Sequence, residues 1–300
     1  MNIVAPRISL LLPTRGRPQL VERLFQSLVD QTENTDAVEI VLYIDEDDTA
    51  SHSIHHEKLK LIKIIGPRST MGTCNTACLK LARGEVIILM NDDIIVRTRG
   101  WDQHILKIHD QVKDGIYLAY PNELYMKEKL SIFPILSRKT CDLLITPYPE
   151  QYPGGFIDYH LFDVFMRLKK NGHDRFLYQD SVVFEHLHYR MGKSEFDETY
   201  QRRGHFDLGD EAFINLRQLR QASADRLTAA INGERLRDLP PIITLEPLPA
   251  KFVSACVMFA KSFLLDKGLP IRWRINLFAV FIKRYLSRKL HFRVTVNTVS

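Results

Sequence analysis

The stretch Glu85 to Val96, EVIILMNDDIIV, constrains this chain more than any other, because an uninterrupted apolar run ends abruptly in Asn91-Asp92-Asp93. Such a run reads as a strand buried on both faces, and the end of such a strand is where an open α/β sheet places its ligands. Two adjacent carboxylates and an amide at that edge repel one another unless a cation sits between them. Hard oxygen donors suit Mg²⁺ or Mn²⁺, and an ion held this way commonly bridges to substrate phosphates. A solvated turn that merely ends a strand competes with this reading for the three residues alone, so the rest of the chain decides.

Ile8 to Leu12 is a short apolar run, followed by Pro13-Thr14-Arg15-Gly16-Arg17-Pro18 and by LVERLFQSLVDQ with apolar residues at helical spacing. This is strand, loop, helix. Val38 to Ile44 reads as a second strand ending in Asp45-Glu46-Asp47-Asp48, Leu59 to Ile65 as a third, and Met71 to Ala82 as a helix closed by Gly84. Alternation at this pace predicts a parallel sheet with right-handed crossovers and a nucleotide-sized ligand beyond the carboxyl ends of its strands. After Val96 come a helix over Trp101–Val112, strands over Ile116–Tyr120 and Leu130–Leu136, and a helix capped by Ser137 and running to Leu144. The Tyr-, Pro- and Gly-rich stretch Pro147 to Phe156 reads as a shaped loop before a helix over Asp158–Asn171. Two short strands, Arg175–Tyr178 and Ser181–Glu185, deliver His186 and His188, and a period of two puts both imidazoles on one side. Helices over Glu195–Arg203 and Asp210–Asn232 close the body, whereas His52, His55 and His56 match no ligand spacing and read as a solvated connection.

With 45% hydrophobic and 26% charged residues, the 300-residue chain is a folded one. Cys74, Cys78, Cys141 and Cys256 show neither zinc nor thioredoxin spacing and read as reduced thiols. The N-terminus has no cationic region followed by a long apolar core, which leads to the expectation of a cytoplasmic chain without a signal peptide. Charge is distributed unevenly. Residues 251–300 hold ten Lys or Arg and one acidic residue, a net +9, while residues 1–250 hold 31 basic and 35 acidic groups, a net −4. The expected organisation is a body over 1–237, a proline-rich linker over 238–249 and a basic amphipathic helical tail over 250–300. The tail's apolar runs are too short and too interrupted to span a bilayer. They suit the plane of an anionic membrane surface, or packing against the body. Because the body is net acidic, no nucleic-acid partner is expected.

Taken together, SLLLPTRGRP, YIDEDD, MGTCNTACLKLARGEVIILMNDDI, the pair Gly100-Trp101 and VVFEHLH resemble glycosyltransferase family 2, over about residues 6–206. The resemblance implies an α/β fold of GT-A type, a Rossmann-like mixed sheet flanked by helices, with the basic amphipathic helices as a C-terminal appendage. It implies inverting, metal-dependent transfer of a sugar from a nucleoside-diphosphate donor to a glycan or lipid-linked acceptor, with Mn²⁺ or Mg²⁺ as cofactor. Pro13, Thr14 and Arg15 would line the nucleotide, Asp45 would face the base or ribose, and Gly72 and Asn75 would lie near the pyrophosphate, with Asp92 in the same nucleotide site. Asn91 and Asp93 stand where the family has its D-x-D motif, which makes Asp93 the metal ligand; Asn91 departs from the usual aspartate but keeps a neutral oxygen. The family's Glu-Asp pair carrying the general base is missing, and Asp158 and Asp163 are the candidates for it. His186 or His188 resembles the late histidine of the metal or diphosphate site. Asp197 and Tyr200 fit either the family's ending or an exposed helix. A lipid-linked acceptor would suit bacterial-type surface polysaccharide or glycolipid synthesis by an enzyme peripheral on the cytoplasmic leaflet. Two alternatives stand beside this: a GT-A domain that binds nucleotide sugar without catalysis, favoured by Asn91, and a sugar nucleotidyltransferase, disfavoured because PTRGRPQL is not the glycine-rich loop of that class.

Overall fold

The computed structural model describes residues 6–187, 206–241 and 245–297; His188, the helix expected over 195–203, Asp197 and Tyr200 lie outside the described residues. The strands are β1 (Ile8–Thr14), β2 (Val38–Asp45), β3 (Lys60–Gly66), β4 (Val86–Leu89), β5 (Ile94–Val96), β6 (Leu118–Asn122), β7 (Ile135–Ser137) and β8 (Phe176–His186). They form one sheet in the order β3-β2-β1-β4-β7-β6-β8-β5. β1, β2, β3 and β4 are parallel, β7 runs against both β4 and β6, and β8 runs with β6. The sheet is therefore mixed, yet the carboxyl ends of β1, β2, β4, β6 and β8 all open on one edge. That edge collects the acidic strand ends.

The helices are α1 (Pro18–Gln31), α2 (Met71–Leu81), α3 (Trp101–Gln111), α4 (Arg138–Leu144), α5 (Ile157–Lys170), α6 (Phe206–Asn215), α7 (Arg217–Asn232), α8 (Phe252–Phe259) and α9 (Ile271–Asn297). Alternation along β1 sorts them into layers. Leu10 and Leu12 pack with Val21, Leu24 and Trp101 of α1 and α3, while Leu11 faces Cys78 of α2 and the remaining helices on the other side. All eight residues of β2 are buried, as a central strand covered on both faces requires, whereas β3 at the sheet edge is largely half-exposed. The expected pair of strands after Arg175 is a single long one, and the expected helix over Asp210–Asn232 is two, broken at Leu216.

The tail is built into the core. Phe259, Phe263, Trp273, Leu277, Phe281 and Tyr285 are buried in the same cluster as Leu161 and Phe165 of α5. Trp273 Nε1 donates to Asp163 Oδ1 at 3.0 Å, and Arg167 on α5 binds Asp266 at 2.8 Å. In place of an appendage beyond a stiff linker, the tail forms a helical hairpin that shares the body's core. None of the helices among the described residues is long and apolar enough to cross a membrane.

Candidate functional site

The loop after β4 sets Asn91, Asp92 and Asp93 in different roles. Asp92 is 6% exposed, and both its oxygens are engaged: Thr14 Oγ1 donates to Oδ2 at 2.8 Å and Arg17 NH1 to Oδ1 at 3.2 Å. Burial pushes its carboxyl above the ordinary range, and Arg17 pulls it partly back. Asp92 thus latches the loop after β1 to the end of β4. Thr14 belongs to that latch. Arg17, for which the sequence indicates no role, is its charged half.

Asp93 points to a different partner. β5 pairs antiparallel with the end of β8, with Ile94 opposite His186, and the Leu187 N–H donates to the Asp93 carbonyl at 2.8 Å. This register brings Asp93 Oδ1 to 3.3 Å from His186 Nε2, both side chains being nearly buried. A carboxylate oxygen and an imidazole nitrogen converging at that spacing fit two positions on one divalent ion. Asn91, half-exposed beside them, can add an amide oxygen. Among the described residues no cluster of three His, Cys, Asp or Glu surrounds the pair.

Arg15 ties the loops after β1 and β2 together. Its NH1 donates to Asp45 Oδ2 at 2.7 Å, and its guanidinium forks onto both oxygens of Asp47, with NH2 to Oδ2 at 2.7 Å. Gly16 N donates to Asp48 Oδ2 at 2.6 Å. Burial raises the Asp45 carboxyl and Arg15 opposes the rise. Pro13, half-exposed at the end of β1, joins these residues at the same sheet edge. The expected nucleotide-side residues Pro13, Arg15 and Asp45 are therefore assembled in one place.

Gly72 and Asn75 are not assembled there. The Met71 and Gly72 N–H groups donate to the Pro153 and Tyr152 carbonyls at 3.1 Å each, and Thr70 caps the next turn through Thr73 N. A Cβ on Gly72 would lie 1.9 Å from the Pro149 carbonyl. The glycine serves the close approach of the Tyr- and Pro-rich loop, which occupies the amides a pyrophosphate would have used. Asn75 is 2% exposed and donates to the Met71 carbonyl at 3.0 Å, inside α2.

The two candidate bases separate sharply. Asp163 is 0% exposed and bonded to Arg167 at 2.9 Å, Arg220 at 2.8 Å and Trp273 at 3.0 Å. Burial would raise its carboxyl, but the two guanidinium groups overcome that and hold it below the ordinary range. It is a core anchor, and the expectation that it could take a proton from an acceptor is withdrawn. Asp158, in the first turn of α5, keeps partial exposure and accepts from Tyr159 N at 2.9 Å. Burial pushes it up to about 6, with Tyr159 N–H, its own backbone N–H, His186 and Arg284 each opposing the rise. The influence of His186 places Asp158 within electrostatic range of the Asp93 pair.

What holds Asp158 came from parts of the chain that the sequence did not connect to it. Phe156, the residue before α5, has φ of +70°, a left-handed conformation that costs a phenylalanine energy unless its surroundings fix it. Its ring packs 5.5 Å from Phe213 and Phe281, with the Arg284 guanidinium 4.7 Å above it. Arg284 in turn binds the buried Asp210 at 2.7 Å. The C-terminal hairpin thereby fixes the start of α5.

Solved structures share this architecture. The mannosyltransferase PcManGT from Pyrobaculum calidifontis, solved with GDP-Man and Mn²⁺, is 14% identical with a TM-score of 0.51, over 99% of this chain and 81% of its own. Residues 1–349 of S. aureus TarS, solved with UDP-GlcNAc, are 13% identical with a TM-score of 0.55, over 94% of this chain and 92% of theirs. At these identities the likeness speaks to fold, and the fold is the GT-A fold of glycosyltransferases. Residues 9–145 also match the family described as glycosyl transferase family 2. That match, over just under half of the chain, and the shared fold make the chain a glycosyltransferase. No curated protein matches it.

Proposed function

We propose that this glycosyltransferase moves a sugar from a nucleoside diphosphate to a hydroxyl of a glycan or lipid-linked acceptor, with inversion and with help from Mn²⁺ or Mg²⁺. The observation that carries the reading is the convergence of Asp93 and His186 at the carboxyl edge of the sheet, with Asp158 within electrostatic range. Asp93 and His186 would hold the ion, Asn91 adding a neutral oxygen; the ion's contribution is to offset the charge that develops on the departing diphosphate. Arg15 and Asp45 orient the nucleotide between the loops after β1 and β2. Asp158 takes the proton from the acceptor hydroxyl as that oxygen attacks the anomeric carbon from the face opposite the diphosphate. The anomeric C–O bond to phosphate breaks, the new C–O bond forms, and configuration inverts. A single displacement requires one base and no second carboxylate at glycosidase spacing.

Support for action beside an anionic membrane, in bacterial-type surface polysaccharide or glycolipid synthesis on the cytoplasmic leaflet, comes from the hairpin's outer side. Val253, Val257, Leu265, Ile271 and Ile275 are 73, 48, 69, 60 and 55% exposed, and Lys251, Lys261, Lys267, Arg272 and Lys283 are exposed with them. The tail's one acidic residue, Asp266, is buried against Arg167 and Arg217. A surface that is apolar and cationic complements anionic headgroups over an apolar interior.

The test of the transferase reading is hydrolysis of a panel of nucleotide sugars with and without Mn²⁺. Metal-stimulated release of a nucleoside diphosphate is expected from one donor. A binding-only domain would retain nucleotide and release none.

A further inference from the structure

The carboxyl edge of the sheet carries a second built feature, in the turn that follows β6. Glu123 is 1% exposed, and its carboxylate accepts from three successive backbone N–H groups: Tyr125 at 3.1 Å, Met126, and Lys127 at 2.7 Å. Leu124 and Lys127 on either side have φ of +69° and +51°. A buried carboxylate saturated by its own turn, with two non-glycine residues held left-handed, is rigid and costly to maintain. What the turn displays is a large side chain: Tyr125 is 53% exposed and Leu124 39% exposed. A rigid turn that pushes an aromatic ring into solvent needs a reason.

Position supplies one. β6 runs parallel to β4 and β8, so the turn leaves the sheet on the edge that carries Asp93, and the His186 N–H donates to the Glu123 carbonyl at 3.4 Å. Tyr159 directly follows Asp158 and is itself backed by a hard wall, stacking on Trp273 at 6.1 Å and packing 5.2 Å from Phe156. α5 packs on β6, the strand that leads into the turn, with Phe162 of α5 lying 6.4 Å from Tyr120, and Tyr125 contributes to the field at the Tyr159 hydroxyl. One tyrosine, rigidly presented, thus follows β6, and another, rigidly backed, adjoins the carboxylate proposed to face the acceptor.

We propose that Tyr125 and Tyr159 form an acceptor subsite for a pyranose ring, Tyr125 stacking on the apolar face of the sugar whose hydroxyl is presented to Asp158. A pyranose is amphipathic in a way that suits this arrangement. Its axial C–H groups form an apolar face that an aromatic ring covers at low entropic cost, and its equatorial hydroxyls stay free for the phenol groups and the base. The proposal rests on the assignment of Asp158 to the acceptor side. It names the acceptor's reacting end as carbohydrate, whatever that sugar is attached to.

The experiment is saturation-transfer NMR on the full chain with methyl hexopyranosides, each measured with and without UDP or GDP and Mn²⁺. Wild type and Tyr125→Phe should transfer saturation to ring protons of at least one pyranoside. In Tyr125→Ala that transfer should fall about tenfold, the loss of one aromatic contact, while the nucleoside diphosphate signals stay within twofold of wild type. Pyranoside signals that do not change in Tyr125→Ala, or that are absent in wild type, overturn the subsite. Loss of nucleotide and pyranoside signals together in a folded Tyr125→Ala also overturns it, because Tyr125 would then serve the donor. Failure of the transferase reading is read separately, as wild type that binds a pyranoside through Tyr125 but hydrolyses no nucleotide sugar.

Discussion

Replacing Asp158 by asparagine should make the protein more stable and nearly inactive at neutral pH. The carboxyl is raised from 3.8 to about 6. A folded-state pKa above the unfolded value means that the fold prefers the neutral acid. That preference is fully present below about 3.8 and is lost as pH rises through about 6. At pH 7 the ionised group is a net cost. Two units correspond to about 3 kcal/mol as an upper bound, and the side chain's partial exposure brings the expectation to about 1–3 kcal/mol. Asparagine keeps the oxygen that accepts from Tyr159 N and removes the charge. Urea unfolding should therefore show Asp158→Asn more stable than wild type at pH 7 by that amount, and equal to it near pH 4. An ordinary helix-start aspartate predicts the opposite sign, since loss of its charge forfeits about 0.3–1 kcal/mol of interaction with the helix dipole. In wild type, turnover should fall about tenfold between pH 7 and pH 5 as the base is protonated, and the residual activity of the variant should lack that limb. A variant less stable at pH 7, or one that keeps the acid limb, refutes the reasoning.

Asp93→Ala should lower metal-stimulated hydrolysis of the donor on the order of 10²-fold or more, with thermal melting little changed; near-normal turnover would remove Asp93 from the site. Asp163→Asn should do the reverse, costing about 3–5 kcal/mol in urea unfolding because Arg167 and Arg220 lose their shared anion. A stable Asp163→Asn without turnover would reinstate that residue as the base. Flotation with anionic liposomes should show salt-sensitive binding that Lys261→Glu, Lys267→Glu and Arg272→Glu together abolish without loss of donor hydrolysis; binding that survives the three changes excludes the hairpin's outer side as the contact, and no binding by wild type excludes the membrane role.

The parallel half of the sheet was legible because β1, β2 and β4 are apolar runs closed by loop residues, and burial on both faces leaves no other way to write a central strand. β8 was read as two strands because Gln179-Asp180-Ser181 looks like a turn. The pairing shifts there, from Pro121 opposite Gln179 to Asn122 opposite Val183, and Asn122 and Tyr178 hydrogen-bond Asp180, so an irregular strand absorbs the polar residues. Asp93 could be found from its strand end. The choice between Asp158 and Asp163 could not, although helix geometry limits it. Five residues turn a helix by about 500°, so the two carboxylates lie about 140° apart and only one of them can face a given cleft. Arg167, one turn beyond Asp163 and on its face, is the signal that Asp163 belongs to an internal charge network, but a pair at that spacing is equally common on a solvated surface. Gly72 misled for a related reason. A glycine at a helix start is needed for close approach of a backbone, and the sequence does not say whether phosphate or, as here, the Pro149 carbonyl makes the approach.

The tail poses the same ambiguity on a larger scale. α9 carries one apolar stripe of Trp273, Leu277, Phe281 and Tyr285 and another of Ile271, Ile275, Phe278, Ile282 and Leu286, centred about 120° apart around the helix. Either could meet the body. The fold buries the first, because only that one brings the Trp273 indole to Asp163 and places Arg284 over Phe156. The second is left half-exposed to exposed, flanked by Arg272 and Lys283. One helix therefore holds the start of α5, and with it Asp158, while turning an apolar and cationic side outward. Deleting the tail would strip both at once and expose Phe156 and Phe213, which pack on Phe281, so loss of membrane binding after deletion would say nothing about the outer stripe. Charge reversal at exposed lysines leaves the buried stripe and the Arg284–Asp210 pair in place. For that reason it separates surface binding from the positioning of the base.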